Sequence, residues 1–441
     1  MSNSRMPAIA KIALGAMLSA PLLAVTVPAF AQDTTSSIET LSEQSALEMR
    51  SEQVVSFFNG DIEAEDLFTN GFLAAVPPAQ LTAIVLQWTA QHGAAQSVET
   101  LNPVSDTRGA LNIRMERANA TGGIAIDPGD DNRISELVFH SFDTIDDSAA
   151  KITADLTALP GNVSVWFGPV DGGEPVISLN ADAQMPLGST FKLYVLAALA
   201  REVAQGEREW DDTVTLDVTS FPSGMMQDWP QGAPVTLQTL ASLMISISDN
   251  TATDQLIAVL GRDAVFETLV NSGHSAPALN DPFLTTRELF LLKGGPRARL
   301  STYAGGDAEL RALILAGIED SPVSGAEIGA AFAQGPIAID VEWFGNAGDL
   351  INLFQFMRET ADPRAFDMMG INPSMLPATR ELWAYAGYKG GSEPGVLNLT
   401  WLLTDDAGAD HALVMSWSNP DANLPPDTLE ALARRIQNLS Q

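Results

Sequence analysis

The chain has no cysteine in its 441 residues. That excludes disulfides, thiolate nucleophiles and thiolate metal sites together, and it leaves the compartment to be read from other features. Positive charge is scarce. Lysine and arginine number 23 against 55 acidic residues, for a formal charge of -32. Such a surface repels phosphate backbones and anionic lipid, so nucleic acid is excluded as a partner. Lysine is scarcer still: after residue 31 only Lys151, Lys192, Lys293 and Lys389 remain. The histidines (His92, His140, His274, His411) lie far apart and form no ligand pair, and no Gly-x-Ser-x-Gly elbow occurs. Neither a His-based triad nor a metal site is expected, and no cofactor is implied. With 46% hydrophobic and 18% charged residues, the chain is that of a globular protein with a full core. The acidity is spread along the chain, consistent with salty surroundings or with compositional drift that keeps an exported protein soluble.

Residues 1–31 read as a secretory signal. Arg5 and Lys11 form the positive end, Ile12 to Val27 is the apolar stretch, and Ala29-Phe30-Ala31 offers small residues at the cleavage positions before Gln32. The stretch is shorter than the ~20 residues of a spanning helix. An uncleaved N-terminal anchor is the alternative. No cysteine follows for lipidation. The expectation is a periplasmic or secreted protein with no membrane association once the signal is removed.

Residues 38–58 and 64–94 carry apolar residues at helical spacing, with Pro77-Pro78 dividing the second stretch into two helices. Residues 110–116, 122–126 and 134–139 read as strands, the last two flanking the turn Asp127-Pro128-Gly129-Asp130-Asp131. Helices followed by antiparallel strands predict a small α+β domain over 32–142, ended by the acidic join from Asp143 to Asp147. A second unit then covers 143–441. It opens with a short helix (145–159) and a hairpin (163–167 and 176–179). A long helix follows from Ser189, and much of 190–380 is helical. Late strands at 396–403 and 412–417 precede a closing helix near 427–438. First and last strands can pair in one antiparallel sheet with helices on both faces and a helical region inserted between them.

Gly188-Ser189-Thr190-Phe191-Lys192 puts a serine at the first turn of the long helix, with a lysine three residues on and on the same face. The helix end supplies unpaired N–H groups that can hold a developing oxyanion. The serine needs a base, and a lysine serves when burial or nearby positive charge lowers its pKa. Alone, this spacing is common. Ser248-Asp249-Asn250 follows 59 residues later. It offers a hydroxyl to relay a proton and an amide to hold a carbonyl or the lysine; equally, it makes an ordinary helix N-cap. Lys389-Gly390-Gly391-Ser392 precedes the strand at 396. It offers a cation for a carboxylate and a glycine that lets a substrate backbone lie close; equally, it makes a plain turn.

Together, the three elements resemble the Ser-x-x-Lys, Ser-Asp-Asn and Lys-Thr-Gly set of class A β-lactamases and penicillin-recognising enzymes. The fold this implies is α+β, a β-lactamase/D,D-peptidase-like domain with an antiparallel sheet flanked by helices and an inserted helical region. The resemblance further implies Ser189 as the acylated nucleophile, Lys192 as its base and Ser248 as proton relay. Asn250 would hold Lys192 or the substrate amide, and Lys389 a substrate carboxylate. Gly391 would lie against the substrate, and the N–H groups of Ser189 and Ser392 would form the oxyanion hole. Residues 33–142 resemble the small cone of the nuclear-transport-factor/ketosteroid-isomerase type. This pairing is similar to the two-domain esterase-like type of clavulanic acid gene clusters. All four tyrosines (Tyr194, Tyr303, Tyr385, Tyr388) lie outside the first domain, so a tyrosine-based isomerase site is absent there and a structural or substrate-shaping role is expected.

Two departures bear on activity. Lys-Thr-Gly has become Lys389-Gly390-Gly391, and the stretch 272–284, where the family's glutamate-bearing loop is expected, contains no glutamate. Glu288 reads as a surface residue of the following helix. The segment Phe221 to Trp229, with Met225 and Met226, reads as an active-site roof, as core packing or as a mobile loop. Without the deacylating glutamate a β-lactam acyl-enzyme clears slowly, while an ester still turns over if Lys192 or Ser248 serves both half-reactions. The expectation is an acyl-serine hydrolase acting on a small-molecule ester or β-lactam-like substrate. The competing readings are a true β-lactamase with an unusual base and a catalytically idle β-lactam- or peptidoglycan-binding module.

Overall fold

The computed structural model describes residues 44–145, 147–221, 223–318, 321 and 324–439. The expected signal segment and residues 38–43 lie outside them. Among the described residues no helix is long and apolar enough to cross a membrane.

The first helix, Ala46–Phe58, begins at a capping box. The Glu48 N–H donates to the Ser45 hydroxyl, and the Ser45 N–H donates to the Glu48 carboxylate. It buries Leu47, Val54, Phe57 and Phe58. The stretch 64–94 forms three helices, not two: Ala64–Leu67, Asn70–Ala75 and Pro78–His92. Pro77 makes the expected break. The extra one comes at Phe68, which turns extended to bridge Ile134, and at Thr69, whose hydroxyl caps the next helix.

Strands β1 (Ala95–Ser105), β2 (Arg108–Met115), β3 (Ala118–Asp127) and β4 (Arg133–Thr144) form an antiparallel sheet in sequence order. Only β1 escaped the sequence pattern. It is mostly exposed and its register shifts three times, so its apolar residues do not alternate. Leu111, Ile113, Ile124, Ile126 and Ile134 pack with Val54, Phe58, Leu81 and Val85 in a core of their own.

The remaining strands are β5 (Asn162–Pro169), β6 (Ile177–Leu179), β7 (Met185–Pro186), β8 (Thr213–Thr215), β9 (Pro234–Thr236), β10 (Phe344–Gly345), β11 (Tyr385–Glu393), β12 (Val396–Thr404) and β13 (Asp410–Ser418). Five of them form an antiparallel sheet in the order β11-β12-β13-β5-β6, so the last strand pairs with the first. Strand β12 is buried along nearly its whole length because both of its faces are covered. Leu397, Leu399, Trp401 and Leu403 meet the helices Ala149–Thr157 and Pro426–Gln437. Leu402 joins the opposite core, around the helix Lys192–Ala204. On that second face the row also contains buried Asn398 and Thr400, where the sheet passes beneath the Ser189 turn.

Candidate active site

Ser189 lies in a 3₁₀ turn, Gly188–Phe191, that leads into the helix Lys192–Ala204; it is thus one turn ahead of the α-helix the sequence pattern predicts for it. Two anchors fix the turn. Strand β7 pairs with β10, and the Leu187 N–H donates to the Trp343 carbonyl at 2.8 Å. The Thr190 hydroxyl donates to Asn398 Oδ1 at 2.8 Å, and Asn398 in turn donates to the Ser416 hydroxyl. A buried polar ladder therefore ties the turn to the sheet, with its members paired to one another.

Of the two readings of Lys389, strand edge and plain turn, the structure shows the strand. The residue lies inside β11, the edge strand of the five-stranded sheet. Beyond it the backbone passes directly against the serine turn. A Cβ on Gly391 would lie 2.1 Å from the Leu187 carbonyl oxygen and 2.4 Å from the Ser189 nitrogen. Gly188, at φ +49°, is also tight: its Cβ would lie 2.9 Å from the Ser392 nitrogen. Only glycine at both positions lets the Ser189 and Ser392 amides approach one cavity.

Ser248 closes the arrangement between two helices, Leu237–Ser246 and Asn250–Leu260. It adopts φ +58°, a left-handed conformation that costs a non-glycine residue roughly 1 kcal/mol or more. Asp249 is the N-cap of the second helix, accepting from the Ala252 N–H, so the capping and the chemical readings of this tripeptide coexist. Lys192 Nζ donates to the Ser248 carbonyl at 2.7 Å, to Ser248 Oγ at 3.1 Å and to Asn250 Oδ1 at 2.6 Å. Lys389 Nζ reaches the same Ser248 Oγ at 3.0 Å. Both lysines are buried. Burial holds the Lys192 amine well below its usual range, and the charge of Lys389 lowers it further, against the opposing pull of Asp254 and Asp249. Burial pushes Lys389 down to about 7. Two buried amines and a hydroxyl thus meet within hydrogen-bond reach, with burial and mutual charge favouring the neutral form of Lys192.

The cavity beside them has a volume of about 380 Å³ and is lined by Ser189, Asn250 and Ser392 together with apolar side chains. It also contains two acids that sequence reasoning missed. Glu342, just before β10, accepts from the Trp343 and Gly188 N–H groups; Glu393 follows Ser392. Lys293 pairs with both, at 3.6 Å from Glu342 and in closer contact with Glu393. Burial, followed by the charge of Glu393, raises Glu342 to about 8, while burial also raises Glu393. No spacing rule connects residues 293, 342 and 393. In so acidic a chain, single glutamates carry no signal.

The stretch 272–284 braces this wall instead of supplying a glutamate. Asn280 exchanges hydrogen bonds with the Phe344 backbone at 2.9 and 3.0 Å. Glu288, read as a surface residue, is 13% exposed in its side chain, forms a capping box with Thr285 and pairs with Arg262 at 2.6 Å. That is a structural role, and it corrects the sequence reading. Of the segment 221–229, Phe221 lines the cavity and Met226 is fully buried, while Asp249 accepts from the Met225 and Met226 N–H groups.

The missing threonine also has a physical cause. Tyr388 lies against Trp401, ring centroids 4.7 Å apart, and its hydroxyl covers the next residue but one. A Cβ on residue 390 would meet the Tyr388 oxygen at 2.1 Å. Among the described residues, no group of three or more His, Cys, Asp or Glu could hold a metal ion.

Residues 147–305 match the model of the beta-lactamase enzyme family. Similar solved structures include a beta-lactamase from Sphaerobacter thermophilus, 23% identical, covering 66% of this chain and 95% of its own, with a TM-score of 0.45. PBP-A is 19% identical over 66% of this chain and 94% of its own, with a TM-score of 0.45. A beta-lactamase from Chitinophaga pinensis is 16% identical over 66% and 96%, with a TM-score of 0.44. No curated protein matches the chain.

Proposed function

The C-terminal part of the chain has a β-lactamase-like serine hydrolase fold, and from that premise we propose that it hydrolyses carboxylic esters, and β-lactams slowly, through an acyl-enzyme on Ser189. The observation that carries the proposal is the meeting of Lys192 and Lys389 on Ser248 Oγ beside the serine turn.

Neutral Lys192 takes the Ser189 proton as Oγ bonds to the acyl carbon. The carbonyl oxygen becomes an oxyanion facing the N–H groups of Ser189 and Ser392. The C–O bond then breaks, and the alcohol leaves with the proton relayed through Ser248. Water attacks the acyl carbon, gives a proton back through Lys192 or Ser248, and releases the acid and free Ser189. Asn250 holds Lys192 in place, Lys389 supplies field, and Gly391 admits the substrate backbone. No step uses a cofactor.

The chain divides in this proposal into a leader (1–31), a cone-like unit of the nuclear-transport-factor/ketosteroid-isomerase type (32–142) and the hydrolase unit (143–441), acting in the periplasm or outside the cell. The separate core beneath β1–β4 supports that division.

Intact-protein mass spectrometry with a fluorophosphonate and with a penicillin tests the reading. A fluorophosphonate adduct that Ser189→Ala abolishes is expected, with a penicillin adduct that decays slowly. Absence of any adduct on Ser189 would leave only a binding module.

A second reading, a β-lactamase with an unusual base, draws support from Glu342, which lines the cavity, bonds to the residue before Ser189 and, raised to about 8, becomes available as a base as pH approaches 8. Under it, Glu342→Gln converts rapid penicillin turnover into a stable adduct.

A further inference from the structure

The cavity that Ser189 lines is walled by Phe221, Leu289, Phe290, Ile328, Phe332 and Trp343. Its charged members are the acids Glu342 and Glu393; none of its described lining residues is basic. Lys293, which pairs with both acids, has a fully buried ammonium directed at them and not at the space. Lys389 is occupied by Ser248 Oγ and the Gly390 carbonyl. A carboxylate entering here meets negative or neutral acid groups and an apolar wall, so it loses its hydration without gaining a partner. A methylene chain or small ring loses nothing.

Space is kept open by two glycines one turn apart on the helix Gly325–Phe332. A Cβ on Gly329 would meet nothing within 4 Å, and one on Gly325 would only touch Phe221 at 3.9 Å. Glycine disfavours a helix by about 1 kcal/mol relative to alanine. Here the gap between helix and Phe221 is the compensating gain.

Resting on the acyl-enzyme reading above, we propose that this cavity is the acyl pocket and selects an uncharged, apolar acyl group of medium length. The acyl half, not the alcohol, is assigned here because it is the half that stays bonded to Ser189, which itself lines the space. Transfer of each methylene out of water favours hydrolysis of the longer ester about fourfold.

The test is kcat/KM for p-nitrophenyl acetate, butyrate, hexanoate and decanoate, so that the alcohol is constant. The hexanoate is expected to exceed the acetate by up to about 250-fold, with four methylenes at about fourfold each. The mono-p-nitrophenyl ester of succinic acid, anionic at its far end, is expected at least ~10-fold below the neutral pentanoate. Gly329→Leu, which improves helix propensity, narrows the space and lowers the hexanoate-to-acetate ratio at least ~10-fold. Phe332→Ala widens it and moves the optimum toward decanoate. Each ratio is taken within one preparation, so partial misfolding cancels. Equal rates for acetate and hexanoate, or for succinate and pentanoate esters, would overturn the acyl-pocket assignment while leaving the nucleophile intact. No turnover of any ester and no fluorophosphonate label on Ser189 would overturn both.

Discussion

Lys192 and Lys389, from a helix and a strand almost two hundred residues apart, place their amines 3.1 and 3.0 Å from one oxygen, Ser248 Oγ. Two buried ammonium groups cannot both be fully charged at that separation. Each positive charge disfavours the other, and desolvation disfavours both. Burial and the neighbouring charge thus both push Lys192, three residues on from Ser189, toward its neutral form.

This gives the acylation rate a pH dependence with a defined sign. The active form of Lys192 is neutral, so labelling of Ser189 falls as pH drops through the depressed Lys192 pKa. Lys389→Met removes a charge that lowers that pKa. The acid limb of the fluorophosphonate labelling rate is expected to move to higher pH in the variant. A limb that stays put or moves down would show that the two amines are not coupled.

Ser248 is held at φ +58°, where a side chain is strained. Ser248→Ala and Ser248→Gly both delete the shared hydroxyl and are expected to slow acylation by about 10²–10⁴, the usual loss for a proton-transfer group. They separate in stability. The glycine variant is relieved of the left-handed penalty and is expected to exceed the alanine variant by about 1 kcal/mol in urea unfolding. Equal midpoints would mean that the loop relaxes around alanine.

Gly390 is a packing requirement set by Tyr388, which fills the space that a residue-390 side chain would need. Gly390→Thr, which restores the threonine of the related motif, is expected to destabilise the fold by about 1–3 kcal/mol. Adding Tyr388→Ala should recover part of that, giving a favourable coupling in a double-mutant cycle. Strict additivity would point to a backbone cause instead.

The sequence was readable where one physical rule dominated. The three motif elements announce themselves because lysine is rare here and two of the four lysines after residue 31 fall within them. The strand pair β12–β13 shows as dense apolar runs because both faces are covered. What stayed hidden is what long-range contacts decide. The irregular edge strand β1 is one case, the break at Phe68 another. Lys389-Gly390-Gly391 reads equally as a strand edge or as a plain turn, because only the fold shows that those glycines make room for Tyr388 and for the serine turn. The Lys293–Glu342–Glu393 cluster joins a helix end, a loop and an edge strand, and no local pattern connects them.

That cluster gives the last expectation. The carboxyl of Glu342, near 4.5 when free in the unfolded chain, is raised to about 8 by burial and by Glu393. A folded-state pKa above the unfolded one means that the native protein holds a proton which the unfolded chain releases. The stability this confers is complete below about 4.5 and is lost as pH rises toward 8. Glu342→Gln keeps an acceptor for the Gly188 N–H but cannot titrate. Urea unfolding free energies measured from pH 5 to 8 are expected to decline more steeply in the wild type than in this variant. Because Glu342 and Glu393 titrate together, the difference between the curves reports the pair, and parallel curves would show that the Glu342 carboxyl is ionised throughout beside Lys293.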